Sequence, residues 1–287
     1  MEYRENLVKI VVDSTADLPP ELAAEWGITV IPCLVHFGQE TFREGVDLSR
    51  GEFYRRLESG SEMPTTSAPG PGVFADTYRQ LAAETDQIVS IHVSSRLSAV
   101  YNSARLGAEK IKGAKVAVLD SGTVSMGLGW LAVMAAQLAE AGRSWSEIVN
   151  WVEMVHPRTR VFAMLDTLEY LHRSGRVGWA LAVLGALLNV KPMISVKEGA
   201  VLPLGRARSR QKATARLVLL VEDLGPLERL AVLHTCARRD AEALAGRLAA
   251  LFPRERMVIA EVGTIIGTHV GPNGLGVACV TAERDSG

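Results

Sequence analysis

The chain has 287 residues, of which 48% are hydrophobic and 22% charged, and its formal net charge is −1. This composition excludes a wholly disordered chain and argues against a strongly basic nucleic-acid-binding surface. No apolar run reaches the roughly 20 residues that a membrane-spanning helix needs. The polar start at 1–9 also lacks the apolar core of a signal peptide. We therefore expect a cytoplasmic protein without a transmembrane segment and without a nucleic-acid partner.

The first half of the chain alternates apolar strands with helices. A helix through 57 is predicted to begin at a capping box formed by Ser49 and Glu52. The other predicted helices are 18–26, 74–85, 97–112 and 127–141, and the predicted strands are 8–12, 28–37, 87–93 and 115–119. Continuous apolar strands that alternate with helices are typical of a parallel sheet covered on both faces.

The second half has a different pattern. Ser144 and Glu147 form a capping box before a predicted helix at 145–155. Strands are predicted at 160–165, 191–196, 200–207, 230–234, 257–262 and 276–281, and helices at 211–221 and 240–251. The glycine-containing loop 197–199 makes two of these strands a hairpin, and a hairpin within an alternating pattern indicates a mixed sheet.

These patterns predict an α/β protein of two domains. Residues 1–157 would form a three-layer α/β/α domain with a parallel sheet, and residues 158–287 an α/β domain with a mixed sheet. Ligands of open α/β sheets bind beyond the carboxyl ends of the strands. We therefore expect a ligand cleft between the domains.

Hydroxyl-rich segments follow or neighbour the predicted strand ends, at 13–17, 65–67, 94–98 and 120–125. Simple helix N-capping accounts for Ser14, Ser94 and Ser121. It accounts less well for Ser98, a spare hydroxyl in the first helical turn, where free N–H groups attract an anion. The glycine-rich stretch 266–274 is predicted to be a turn before the last strand, and its His269 is either structural or near a ligand.

Arginines are concentrated at two places in the second half. Arg173 and Arg176 bracket a Ser-Gly pair, and Arg206, Arg208 and Arg210 alternate after the hairpin. If the strand continues that far, alternation places the last three on one face. They form either a solvated strand edge protected by charge or a surface for a phosphate or an acidic partner.

The familiar catalytic patterns are missing from the sequence. It contains no GxxxxGK[ST], HExxH or GxSxG motif. A GxGxxA match at 127–132 begins about seven residues after the strand end, whereas a dinucleotide fingerprint opens directly after the strand. The six histidines show no metal-ligand spacing. We therefore predict no catalytic residue, no metal and no cofactor.

Seven segments together resemble the DegV family, and they occur in the family's order over nearly the whole chain. They read VDSTADLP, TTSAP, SSRLSAVYNSA, DSGTVSMGLG, LEYLHRSGRVG, LLNVKP and IGTHVGPNGLG. The resemblance implies two α/β domains with a long-chain fatty acid in the cleft between them. It also implies that the protein carries the acid without chemistry of its own.

The resemblance assigns roles to individual residues. Thr66 and Ser98 would hold the fatty acid carboxylate, and His269 would lie near this head group. Ser125 and Thr268 complete the set that we predict to bind the fatty acid. The tail would occupy an apolar tunnel, to which the helices at 74–85 and 179–188 could contribute walls.

Some members of the family are the acyl-carrying subunit of bacterial fatty acid kinase, which implies a separate catalytic kinase subunit as a partner. Arg173, Arg176 and Arg206 match family arginines that would belong to the surface presented to that subunit. The sequence also departs from the usual family pattern at three positions. These departures are Ala68 for Gln, Ala99 for Gly and Asn273 for Gly.

An alternative function is a serine hydrolase or thioesterase. Its nucleophile would be Ser98 or Ser125, its base His269, and its acid Asp13 or Asp120. Such an enzyme needs the nucleophile and the base within hydrogen-bond reach, together with an oxyanion hole.

Overall fold

The computed structural model describes residues 8–60, 62–179 and 190–283. Its strands are β1 Lys9–Asp13, β2 Thr29–Ile31, β3 Leu34–Phe37, β4 Glu40–Arg43, β5 Thr65–Ser67, β6 Gln87–His92, β7 Lys115–Asp120, β8 Thr159–Met164, β9 Lys191–Lys197, β10 Ala200–Ala207, β11 Leu227–His234, β12 Val258–Glu261 and β13 Leu275–Thr281. Its helices are α1 Pro20–Glu25, α2 Arg50–Ser59, α3 Pro71–Leu81, α4 Val100–Ala108, α5 Met126–Glu140, α6 Trp145–Val155, α7 Glu169–Ser174, α8 Arg210–Glu222, α9 Arg238–Leu248 and α10 Thr264–Val270.

The N-terminal part is built on a parallel sheet with the strand order β2-β1-β6-β7. Strands β1 and β6 are buried along nearly their whole length, as expected of strands that helices cover on both faces. Helix α6 begins at the predicted capping box, in which Ser144 and Glu147 satisfy each other's backbone N–H groups. The predicted α/β/α arrangement around a parallel sheet is confirmed.

The C-terminal part is built on a mixed sheet with the strand order β10-β9-β8-β13-β11-β12. Its neighbours pair antiparallel except β11 and β12, which are parallel. Helices α8 and α9 pack on its outer face through Leu217, Leu244 and Leu248. The mixed sheet is confirmed, whereas the domain boundary at 157/158 stays a prediction.

Helix α5 lies between the two sheets and joins their cores. It contacts β1 of the parallel sheet and β13 of the mixed sheet, and the indole N–H of Trp130 donates to the Ala278 carbonyl at 3.2 Å. Nearly every α5 residue is buried. A helix that is apolar on all sides fits only such a fully enclosed position.

A third, antiparallel sheet with the order β4-β3-β5 corrects the sequence prediction. The predicted strand 28–37 is two strands, because the chain leaves the parallel sheet after β2 and enters the third sheet at β3. Pro32 lies at the break, and a proline has no N–H group for a central sheet ladder. Strand β4 and the short strand β5, which carries Thr66, were not predicted.

Two further sequence predictions are wrong in local structure. The segment 266–274 is not simply a turn, since α10 runs to Val270 and only the remainder turns into β13. Strand β10 ends at Ala207 and α8 begins at Arg210, so Arg206, Arg208 and Arg210 do not share a strand face. The Arg210 guanidinium instead bonds Asp240 at 2.5 Å and the Asn273 carbonyl at 2.6 Å.

Candidate ligand-binding site

A cavity of about 580 Å³ lies between the parallel sheet and the inner face of the mixed sheet. Most of its wall is aliphatic. The parallel-sheet side contributes Val93 and Val124, the mixed sheet Val161 and Val196, and α10 Ile265. Its volume falls in the range of about 300–1,000 Å³ that is usual for small-molecule sites. Such a wall suits a long apolar ligand.

One corner of the cavity is polar, and two distant segments meet there. The Thr66 hydroxyl on β5 lies 3.2 Å from Nε2 of His269 on α10, although 203 positions separate the two residues. Strand β5 is held in place by β3, where Thr66 pairs with Val35. The His36 ring also bonds the Ser67 hydroxyl at 2.8 Å. The third sheet therefore positions one of the predicted head-group residues.

The His269 imidazole is neutral at physiological pH. Burial, reinforced by the positive charge of Arg176, lowers the pKa of His269 to about 4. Among the residues that the structure describes, Nδ1 of His269 has no hydrogen-bond partner. If Nε2 carries the proton and donates to the Thr66 oxygen, the Thr66 hydroxyl is left to donate to a ligand carboxylate.

Ser98 was predicted in the first turn of a helix, but α4 begins only at Val100, so Ser98 lies just before the helix. It also lines the cavity. Its Oγ accepts the Val100 N–H at 3.3 Å. Within the described part of the chain we find no acceptor for the Ser98 hydroxyl proton. The structure thus brings Thr66, Ser98 and His269 to one cavity, and their role as ligands of a carboxylate stays a prediction.

The other two predicted fatty-acid ligands have internal partners. Ser125 lines the cavity, but its hydroxyl donates to Asp17 at 2.5 Å, and its backbone φ of 52° is unusual for a residue other than glycine. Thr268 is buried, donates to the Thr264 carbonyl at 2.8 Å within α10 and is not part of the cavity wall. The structure does not bring Thr268 to the site.

Arginines lie at the exposed side of the cavity. Arg176 is exposed and lines it, as does Arg96, which the sequence analysis did not single out. The Arg96 guanidinium donates to the Glu198 carbonyl at 3.1 Å, in the turn between β9 and β10. The sequence did offer a signal for Arg96, because this residue lies inside the hydroxyl-rich segment 94–98. Arg173 is paired with Glu169 at 2.7 Å, and Arg206 is exposed on β10.

The triad that a serine hydrolase would need is not assembled in the described part of the chain. Asp120 accepts backbone N–H groups of Ser95 and Gly122 instead of contacting His269. A Ser–His–Asp chain does exist, formed by Ser90, His92 and Asp13 with bonds of 2.7 and 3.0 Å. All three side chains are fully buried, so no substrate reaches this serine.

Asp13 instead supports the cavity wall. Its carboxylate accepts the backbone N–H groups of Thr15 and Val93, both of which line the cavity. Burial acts to raise the pKa of Asp13, but the bonds from His92, Thr15 and Val93 outweigh it and the pKa is lowered.

The family model described as "Uncharacterised protein, DegV family" matches residues 7–282. The chain belongs to the DegV family. A DegV domain-containing protein of Deinococcus radiodurans is 38% identical over 275 residues, which cover 94% of this chain and 97% of the relative.

Solved DegV structures have the same fold. A DegV family protein from Thermus thermophilus, described by its fatty acid binding, has a TM-score of 0.89 and 33% identity, covering 96% of this chain and 99% of that chain. DegV from Bacillus subtilis, described as a fatty acid binding protein, has a TM-score of 0.86 and 32% identity at the same coverage.

Two of the three departures from the usual DegV pattern fall at the cavity. Ala68 and Ala99 both line it, whereas Asn273 lies in the loop before β13 with a φ of 61°. Asparagine tolerates this left-handed conformation better than most residues, so it can replace the glycine there.

The predicted tunnel walls are only partly located. Helix α3 does not line the cavity, because Phe74 faces the core and packs edge-on against His92 at 5.3 Å. Trp179 donates to the Val201 carbonyl at 2.9 Å, and the rest of the predicted wall at 180–188 lies outside the described residues.

Proposed function

We propose that the protein binds one long-chain fatty acid, with the tail in the cavity and the carboxylate at its polar corner. The observation that carries this proposal is the pairing of a largely aliphatic cavity of about 580 Å³ with a polar corner where Thr66 meets His269 at 3.2 Å. Relatives with the same fold are described as fatty acid binding proteins, which supports the same ligand class.

The energetics favour a carrier of free acids. Each buried methylene stabilises the complex by about 0.8 kcal/mol, so a C16 tail can outweigh the cost of association. The Thr66 and Ser98 hydroxyls supply hydrogen bonds to the carboxylate. Arg176 supplies a positive charge at the mouth that attracts an anion without being buried with it.

The test is a palmitate titration of Thr66→Ala, Ser98→Ala and the double variant. Each single change should weaken binding by about 1.5–3 kcal/mol, since each removes a hydrogen bond to a charged group. Thr77→Ala is the matched control, because this half-buried α3 hydroxyl donates within its own helix, to the Val73 carbonyl, and does not line the cavity. A double variant that binds palmitate like the wild type would refute the assignment.

We further propose that the bound acid is presented to a separate kinase subunit that forms the acyl phosphate. The exposed arginines Arg173, Arg176 and Arg206 support this proposal. Arg176 lies at the cavity mouth, beside the place proposed for the carboxylate. Cationic side chains there would steer an acidic partner and stabilise the charge of the transferred phosphoryl group.

A further inference from the structure

Two buried carboxylates hold the start of α10, the helix that carries His269. Asp17 is 1% exposed, and its Oδ1 accepts the Gly263 N–H at 2.7 Å. Glu44 is 7% exposed, and its Oε1 accepts the Thr264 hydroxyl at 3.0 Å and the Ile265 N–H at 3.1 Å. Both carboxylates come from the N-terminal part of the chain, so they fix α10 to it.

The second oxygen of Asp17 reaches the cavity wall. It accepts the hydroxyl of Ser125 at 2.5 Å, and the Ser125 N–H is held by the Thr15 carbonyl at 2.8 Å. Ser125 and Thr15 both line the cavity. One carboxyl group therefore connects the wall on the parallel-sheet side with the helix that places His269 opposite Thr66.

The two carboxyl groups are close to each other and poorly neutralised. A Cβ at Gly263 would lie 3.0 Å from Asp17 Oδ1 and would collide with Glu44 Oε1. Arg50 attracts both groups, yet among the described residues neither forms an ion pair with it. Two further titratable side chains face this pair. The Tyr54 hydroxyl donates to the Val262 carbonyl at 2.9 Å, and the pKa of the buried Cys33 thiol is raised by burial and then by the charges of Asp13 and Glu44.

Two buried carboxylates that meet at one backbone position disfavour each other's charged form. Burial is the main cause that raises the pKa of Asp17 to about 7. The charge of Glu44 adds to the rise, while Arg50 and the bonds from Ser125 and Gly263 oppose it. Burial also raises the pKa of Glu44.

We propose that Asp17 and Glu44 are positioning residues for the head-group site, and that they lock α10 against the cavity wall only while Asp17 keeps its proton. This inference rests on the proposed fatty acid binding and adds a proton dependence to it. When Asp17 ionises, the two like charges repel each other inside the core. The His269–Thr66 corner then loses its fixed support.

The sign of the pH effect follows from the raised pKa of Asp17. The native state keeps a proton that the unfolded chain releases above its ordinary pKa of 3.8. The contribution of this proton to the free energy of unfolding is present in full below pH 3.8 and is lost as the pH rises through about 7. Fatty acid affinity should decline over the upper part of the same window.

The experiment compares palmitate affinity at pH 6 and pH 8 for the wild type, Asp17→Asn and Asp76→Asn. Wild-type affinity should fall roughly tenfold, as expected when one proton with a pKa of about 7 must be retained. Asp17→Asn should bind like the protonated wild type at both pH values. Its amide oxygen accepts from Gly263, and its N–H replaces the O–H that a protonated Asp17 donates to the Ser125 oxygen, whereas toward an ionised Asp17 Ser125 is the donor. Asp76→Asn, at an exposed carboxyl on α3, should keep the tenfold fall.

A purely structural role for Asp17 would not make the Asn variant independent of pH. Equal wild-type affinity at pH 6 and 8, or an unchanged fall in Asp17→Asn, would overturn the inference. If the wild type binds no palmitate at all, the proposed function fails separately. In that case the free energy of unfolding of the ligand-free proteins tests the proton lock. It should fall between pH 6 and pH 8 by more in the wild type than in Asp17→Asn. Equal falls in the two proteins would overturn the inference.

Discussion

The side chains that can bond a ligand head group at the polar corner are uncharged. Thr66, Ser98 and the neutral His269 offer hydrogen bonds, and the arginines that line the cavity with them, Arg96 and Arg176, are exposed. Hydroxyl donors avoid the cost of burying a cation, so a carboxylate can be bound and released without breaking a buried ion pair. This arrangement suits a protein that carries an acid and gives it up.

The resemblance named all three residues, whereas the pattern of residue types alone pointed only to Ser98. The pattern left Ser98 without a capping role, although in the structure its Oγ accepts the N–H of Val100, the first residue of α4. The hydrogen bond between Thr66 and His269 was not visible, because it joins segments 203 residues apart that meet only when the third sheet forms. Asp17 and Glu44 escaped notice because burial, which the sequence does not display, gives them their role.

Charge reversal at the exposed arginines tests the kinase partner. Arg173→Glu and Arg206→Glu should leave palmitate affinity unchanged, since neither residue lines the cavity. They should slow acyl phosphate formation with the cognate kinase subunit by about tenfold at low salt, and less as salt rises, because exposed charges are screened. Arg247→Glu, an exposed change on α9, should have no effect. Unimpaired acyl phosphate formation in both variants would eliminate this surface.

At the scale of elements, the hairpin β9–β10 reaches across to the parallel sheet. The Gly199 N–H in its turn donates to the Gly122 carbonyl at 2.7 Å, after β7, while Arg96 donates to the Glu198 carbonyl at 3.1 Å. These contacts lie beyond the carboxyl ends of β6 and β7. The hairpin turn thus closes the cavity on the side where Arg96 lines it.

Gly199 is required in this turn both for its positive φ and for its close approach to Ser94. A matched pair of variants separates the two effects. Gly199 and Gly142 share a φ of 75°, but only a Cβ at Gly199 would collide with another residue, at the Ser94 hydroxyl. Gly142→Ala should cost about 1–2 kcal/mol of unfolding free energy from the backbone alone. Gly199→Ala should cost a further 1–3 kcal/mol, roughly the usual penalty of overpacking. Equal losses in denaturant unfolding would show that the turn does not dock.

Periodicity predicted most of the helices and the main strands, but it missed the short helices α7 and α10 and did not show where strands change sheets. The apolar run 28–37 has the same pattern whether it forms one strand or two, and only tertiary pairing splits it after β2. Strands β4 and β5 are short and largely exposed, so they lack the apolar signal that identified the others. The third sheet, which carries Thr66, therefore could not be predicted.

At the scale of the whole molecule, the cavity is the space that the two sheets leave beside α5. This helix joins the sheets through contacts to β1 and β13, and α10 and the hairpin turn close the space elsewhere. None of the helices in the described part of the chain has the length and apolarity that crossing a bilayer requires. The aliphatic side chains that could hold a lipid line the cavity between the sheets.

The most direct test is a titration of the wild-type protein with saturated fatty acids from C12 to C18. If the tail is buried between the sheets, the binding free energy should become more favourable by about 0.8 kcal/mol for each added methylene until the cavity is full. A gain that stops at one length would measure the depth of the cavity. Affinity that does not change from C12 to C18, or no binding at all, would contradict a fatty acid held in this cavity.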